Sequence, residues 1–340
     1  MDEANIIKLA SNENPLGASP AAMAAIQKVL SGVALYPDGS GYEFKSALMK
    51  KYGVARDQIV LGNGSNDVLE LAGRAFLTPQ DSAVFSQHAF AVYPLTVQAI
   101  GAKAIEVPAL NFAHDLPSMA RAVRADTRIV FVANPNNPTG TFAPADTLLE
   151  FVKSISPNVI VVVDEAYTDY LPRADQFDST VWLKQFPNLV ITRTLSKAYG
   201  LAGLRVGYAF ANVDVADLMN RVRQPFNVNS LALVAAAAAL DDAEFLAKSA
   251  ELNRQGLLQF AAGFKRLGLN FIPSYGNFIC VEVGDGAAMF QFLLRQGVIV
   301  RPVAGYGMPR HLRISVGLPA QNERCLDALA AGLKQLPGTR

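Results

Sequence analysis

The chain has 340 residues, 51% of them hydrophobic and 17% charged, with a net charge of +1. That composition excludes intrinsic disorder, and a near-neutral surface has no field to gather nucleic acid or an anionic membrane, so the expected partners are small molecules and further copies of the chain. Cys280 and Cys325 are the only cysteines, too few for a disulfide framework and not spaced as metal ligands, and the acidic opening "MDEANIIKL" lacks the basic stretch and apolar core of a signal peptide, so no metal and a cytoplasmic location are expected.

In chain order, residues 1–40 hold one predicted helix, Pro20 to Leu30, between irregular Asn, Pro and Gly segments, and are assigned to a small domain. Short β-branched runs then alternate with stretches of helical apolar spacing. The predicted strands are Ile59–Leu61, Ser82–Phe85, Lys103–Val107, Arg128–Val132, Val159–Val163, Leu189–Thr192 and Val206–Phe210; helices are expected over Asn66–Phe76 and Pro144–Ser154. This alternation predicts an α/β architecture over residues 41–240, a mostly parallel sheet between layers of helices. The small-apolar run at 231–240 is too short for the ~20 residues that span a bilayer. From residue 241 a long helical pattern is followed by the short strands "FICVEVG", "VIVRPV" and "LRISVG" and a last helix, Asn322–Gln335, which reads as a smaller α+β domain over 241–340.

Ligands of open parallel sheets bind beyond the carboxyl ends of the strands, so the residues after each strand matter most. After Leu61 comes "GNGSNDVLEL", a glycine turn with Ser65 and Asn66 opening a helix, which suits an anion. After Val132 comes the rigid loop "ANPNNPTGT", and after Val163 the carboxylate Asp164 ends an apolar run, which is costly unless the charge is paired or used. Past Ile191, "TLSKAYGLAGLRVGY" sets Lys197 in a small apolar neighbourhood that would depress its pKa, with Arg205 eight residues on. Taken alone, the first loop could be an ordinary capped turn and Asp164 a helix N-cap. Together they specify one ligand, pyridoxal phosphate: Lys197 forms the imine, Asp164 keeps the ring nitrogen protonated, and Ser196, Arg205 and the 62–66 loop take the phosphate.

The motifs "SNENPLG" (11–17), "YPDGSGYEFKSAL" (36–48), "GNGSNDVLEL", "NPNNPTG" (134–140), "DEAY" (164–167), "SKAYGLAGLRVGY" (196–208) and "LRISVG" (312–317) resemble those of the histidinol-phosphate aminotransferases, in the same order and from about residue 8 to 332. That family has the fold-type I architecture of the class I/II pyridoxal-phosphate aminotransferases. The resemblance implies that Lys197 is the Schiff-base lysine and the acid/base of the proton transfer. It implies that Asp164 partners the pyridinium, that Asn137 and Tyr167 bond the ring hydroxyl, and that Phe90 stacks on the ring. Ser65, Ser196 and Arg205 match phosphate ligands, with Gly64 in the turn and the Ser65 and Asn66 N–H groups helping. Tyr36 matches a tyrosine that reaches the neighbouring subunit's cofactor, implying a homodimer. Arg313 and Arg301 match arginines that bind the substrate's anionic end, and two of them mildly favour a phosphate over a carboxylate.

The implied reaction takes L-histidinol phosphate and 2-oxoglutarate to imidazole acetol phosphate and L-glutamate, in histidine biosynthesis. The segment "PVAGYGMPRH", with Tyr306 and Arg310, resembles the version in relatives that accept aromatic amino acids, so aromatic transamination is an alternative. A threonine-phosphate decarboxylase is similar in fold and cofactor site and is the third. His88, His114 and His311 show no ligand spacing. Glu165 is expected to face away and support a helix start, and Tyr199 and Tyr208 fit either core or pocket.

Overall fold

Along the central strands, alternate side chains enter two separate cores. Val130, Val132, Val161, Val163 and Ile191 pack on one face, and Ile129, Phe131, Ile160, Val162 and Val190 on the other. Burial on both sides is why these strands read as unbroken apolar runs rather than as alternating ones. The computed structural model describes residues 6–336; residues 1–5 and 337–340, with the ends of the N-terminal and C-terminal segments read above, lie outside the described residues.

The strands are β1 (Ile7–Lys8), β2 (Ile59–Gly62), β3 (Ser82–Ser86), β4 (Lys103–Val107), β5 (Thr127–Ala133), β6 (Ile160–Asp164), β7 (Leu189–Thr194), β8 (Gly207–Ala211), β9 (Phe271–Ile272), β10 (Phe278–Glu282), β11 (Val298–Ile299), β12 (Arg301–Pro302) and β13 (His311–Ser315). A seven-stranded sheet runs β2-β8-β7-β6-β5-β3-β4. Only β8 is antiparallel to its neighbours; β3 to β7 pair in parallel. Helices Tyr42–Tyr52, Ala145–Ser154 and Ser230–Leu240 cover one face, and helices Ser65–Phe76, Val92–Ile100 and Val213–Arg221 cover the other.

A second sheet, ordered β12-β13-β10-β9 and antiparallel throughout, packs with helices Ala243–Leu267, Gly286–Arg295 and Pro319–Gln335 around a core of its own. Asp242 caps the long helix and Gly268, at φ +70°, ends it.

Two sequence expectations need correction. The run "VIVRPV" is not one strand: β11 pairs in parallel with β1, whereas β12 joins β13. The break between them leaves Arg301 on β12, opposite Arg313 of β13. Within residues 1–40, β1 pairs with the small unit, but helix Pro20–Val29 packs on helix Ser230–Leu240 and sends Ala22 into the large unit's core. Apolar residues at helical spacing show that a helix forms, not which neighbour it covers. No helix among the described residues is long and apolar enough to cross a membrane.

Candidate active site

The carboxyl ends of β2, β5, β6 and β7 open onto a cleft of about 430 Å³, closed on its far side by the β12–β13 edge and by Ser11 and Asn12. Of the residues expected in the site, Ser65, Asn66, Phe90, Asn137, Asp164 and Tyr167 line it, as do Ser196, Lys197, Arg205, Arg301 and Arg313.

Asp164 is the last residue of β6, and sheet register places Thr192 of β7 beside it. Its Oδ1 accepts from Thr192 Oγ1 at 3.1 Å and its Oδ2 from Tyr93 Oη at 3.0 Å. These hydroxyls and the Ala166 N–H are all neutral donors, so burial outweighs them and pushes the carboxyl up to about 6. A cation set beside it would supply the charge this carboxylate lacks. Lys197 follows β7, and its Nζ donates to the Ser11 carbonyl at 3.3 Å, 5.8 Å from the centre of the Tyr167 ring. Burial, then the positive charge of Arg313, lowers its pKa to about 8, leaving a larger share of free amine than an exposed lysine has.

Helix Ser65–Phe76 begins with Gly64 as its N-cap, φ +84°, and no side chain caps it, so Ser65 and Asn66 are its first helical residues rather than its caps. Ser65 and Asn66 line the cleft, so this uncapped helix start can serve as an anion cradle there. A Cβ on Gly64 would sit 2.5 Å from Arg205 Nη2, so only glycine lets that guanidinium lie across the turn. Arg205 itself adopts φ +56°, two residues ahead of β8. Ser196 donates its N–H to Thr194 Oγ1 at 3.1 Å, which leaves its hydroxyl for the cleft. Phe90 stands edge-on to Tyr93, ring centres 6.0 Å apart.

On the opposite wall Arg301 and Arg313 are direct cross-strand partners on β12 and β13. Arg313 is buried, donates to Asn137 Oδ1 and to the Ala10 carbonyl at 2.8 Å, and keeps its Nε without a partner. Arg301 Nε donates to the same Ala10 carbonyl at 3.3 Å. Tyr167 Oη accepts from Asn12 Nδ2 at 2.8 Å, and burial pushes its phenol to about 12.

Tyr36 lies apart from this cleft, 83% exposed and stacked on Phe226 with ring centres 4.8 Å apart. Glu165 departs from expectation: it starts no helix, is buried, and its Oε2 accepts from Arg193 Nε at 2.8 Å beneath the site. Tyr199 and Tyr208 are core residues. Arg310 turns outward to Glu282, and Tyr306 lines the cleft. His114 Nε2 meets the Ala133 carbonyl at 2.8 Å and its pKa falls to about 4 through burial. Sequence reasoning assigned no role to Tyr93 or to Ala10, Ser11 and Asn12. The run "SNENPLG" was a signal for the last two, but Tyr93 sits inside an ordinary helical pattern that carried none. Among the described residues no cluster could hold a metal ion.

A lysine of lowered pKa, a buried carboxylate without a countercharge and an uncapped helix crossed by an arginine fit pyridoxal phosphate, and the fold is that of the fold-type I enzymes which use it. The sequence model of the aminotransferase class I and II family matches residues 4–329, and the chain belongs to that family. It is 60% identical to histidinol-phosphate aminotransferase 2 of Nitrosospira multiformis, over 99% of this chain and 86% of the relative. It is 58% identical to histidinol-phosphate aminotransferase 2 of a Pseudomonas fluorescens strain, over 97% and 89%. The structure of histidinol-phosphate aminotransferase from Sinorhizobium meliloti in complex with pyridoxal-5'-phosphate superposes with a TM-score of 0.92 at 28% identity, covering 97% of this chain and 91% of that one.

Proposed function

We propose that the chain is a histidinol-phosphate aminotransferase, taking L-histidinol phosphate as amino donor and 2-oxoglutarate as acceptor. The observation that carries the substrate is the pairing of Arg301 with Arg313 across β12 and β13, both aimed at one cleft. Like charges directly opposite in a sheet repel, and a doubly charged phosphate set between them removes the cost.

Bound pyridoxal phosphate supplies the carbonyl that exchanges amino groups and a ring that draws electrons from the substrate's Cα. The side chains do the rest. Lys197 Nζ would hold the cofactor as its imine and, as an amine of lowered pKa, would serve as the acid and base for the proton transfer. Asp164, steered by Tyr93 and Thr192, keeps the ring nitrogen protonated. Asn137 and Tyr167 bond the ring hydroxyl, and Phe90 covers the ring face. Gly64, Ser65, Asn66, Ser196 and Arg205 hold the phosphate.

Homodimerisation belongs to the same proposal. Tyr36 and its neighbours Leu35 and Val33 are 83%, 74% and 63% exposed, a large apolar strip of the kind that marks an interface. From there Tyr36 reaches a second subunit's phosphate. The division into an N-terminal segment, a large cofactor unit and a small C-terminal unit is proposed with helix Pro20–Val29 moved to the large unit. The cytoplasm is the proposed location, in keeping with two free, buried thiols.

The deciding experiment is single-turnover absorbance of the loaded protein with L-histidinol phosphate, L-phenylalanine, L-tyrosine and L-threonine phosphate. Fastest conversion with histidinol phosphate is expected. Preference for the aromatic amino acids would favour the aromatic aminotransferase alternative, and carbon dioxide release would make the chain a decarboxylase.

A further inference from the structure

Asn12 is buried and adopts φ +56°, a left-handed conformation that asparagine tolerates better than most side chains. All of its polar groups are engaged. Its N–H donates to Ser315 Oγ at 2.8 Å, Ser315 Oγ donates to its Oδ1 at 3.0 Å, and its carbonyl accepts from Asn277 Nδ2 at 2.9 Å. Its Nδ2 donates to Tyr167 Oη at 2.8 Å. The order of donors follows from the inventory of hydrogens. The Ser315 hydroxyl accepts the Asn12 backbone N–H, and Asn12 Oδ1 is the one acceptor its single hydrogen meets among the described residues. That fixes Oδ1 as the acceptor end and leaves only the amide nitrogen to face Tyr167. Tyr167 therefore accepts from Asn12, and its own hydrogen is free for the cleft.

We propose that Asn12 is a positioning residue which compels Tyr167 to donate toward the cofactor's ring oxygen and thereby lowers the proton affinity of the lysine-bound cofactor. This rests on the pyridoxal-phosphate reading above. A donor on the ring oxygen withdraws its charge from the neighbouring imine proton, which then leaves at lower pH. The orienting hydroxyl lies on β13, two positions beyond Arg313, so the strand that binds substrate also sets the direction in which Tyr167 donates.

The test is a spectrophotometric pH titration of the loaded protein, reading the midpoint of the visible-band change. Asn12→Asp replaces the amide with a group that only accepts, so Tyr167 must turn its hydrogen away from the cofactor. The midpoint should rise by about one pH unit, a tenfold gain in proton affinity. Tyr167→Phe should raise it in the same direction, and the double variant should go no further than Tyr167→Phe alone. A wild-type midpoint in folded Asn12→Asp overturns the proposal, as does a shift fully retained in the Tyr167→Phe background, which would be the direct field of the new carboxylate. If Asn12→Asp does not fold, Ser315→Ala frees the amide to turn over; a smaller rise is expected, and an unchanged midpoint overturns the proposal. A purely structural Asn12 would lower the unfolding temperature and leave the midpoint alone. A wild-type chain that develops no visible band would overturn the pyridoxal-phosphate reading and this inference with it, whereas a normal band with unshifted variants overturns this inference only.

Discussion

Replacing Asp164 by asparagine should stabilise the unloaded protein while disabling the loaded one. The carboxyl's pKa rises from 3.8 to about 6 because burial outweighs its neutral donors. A raised carboxylate contributes fully below its unfolded pKa and loses that contribution as pH climbs through the folded value. A rise of this size corresponds to about 3 kcal/mol lost at neutral pH, of which about 1 kcal/mol is already lost near pH 4.5. An asparagine in its place does not titrate, so the stability gap between Asp164→Asn and wild type should move in favour of the variant by about 2 kcal/mol from about pH 4.5 to about pH 7.5. Urea unfolding of both unloaded proteins at the two pH values measures it. Loading should reverse the ranking, since a pyridinium beside the carboxylate favours its charged form. Turnover of Asp164→Asn should fall by about 10²- to 10⁴-fold, the usual worth of a well-placed proton. A gap that does not change with pH would refute the claim that this carboxylate is held without a countercharge.

Pyridoxal phosphate capture by the unloaded chain should accelerate with pH to a plateau with a midpoint of about 8, the pKa of Lys197, and stopped-flow absorbance would show it. Arg313→Gln should move that midpoint upward, because the arginine's charge helps to lower the lysine's pKa. Gly64→Ala strains a backbone at φ +84° and collides with Arg205; at least a roughly tenfold loss of cofactor affinity is expected. Gly53→Ala, at φ +66° with nothing within 4 Å, should cost stability alone, as thermal unfolding beside a cofactor titration would reveal. Tyr36→Ala and Lys197→Ala should each be inactive, yet equal co-assembly should restore about a quarter of wild-type activity, since half of the dimers regain one of two sites. Verified heterodimers without turnover would mean that each subunit completes its own site.

The large sheet was legible because strands covered on both faces leave continuous apolar runs, and the chemistry stands where those runs stop, at Gly62, Ala133, Asp164 and Thr194. Pairings between distant segments were not legible. Nothing in "VIVRPV" says that its halves join different sheets, and nothing in the spacing of Arg301 and Arg313 says that they face each other; β12 and β13 bring them together only after folding. Glu165 was misjudged for a related reason. Its partner Arg193 arrives from the next strand, and a local reading of "DEAY" cannot see a countercharge supplied by sheet register. Tyr93 and Asn12 fall in the same class, each touching a site residue only through a contact that crosses the fold.

The reversed strand β8 has a consequence for how the molecule is made. It lies between β2 and β7, pairing Gly62 with Gly207, so that the turn after β2 and Arg205 ahead of β8 meet at one edge. On the ribosome the first half of this grip emerges long before the second, and β2 must wait without its sheet neighbour until β8 is synthesised. Closing so wide a loop is a slow step in assembly. The turn at Gly64 and the arginine that crosses it are therefore brought together only after β8 has been made.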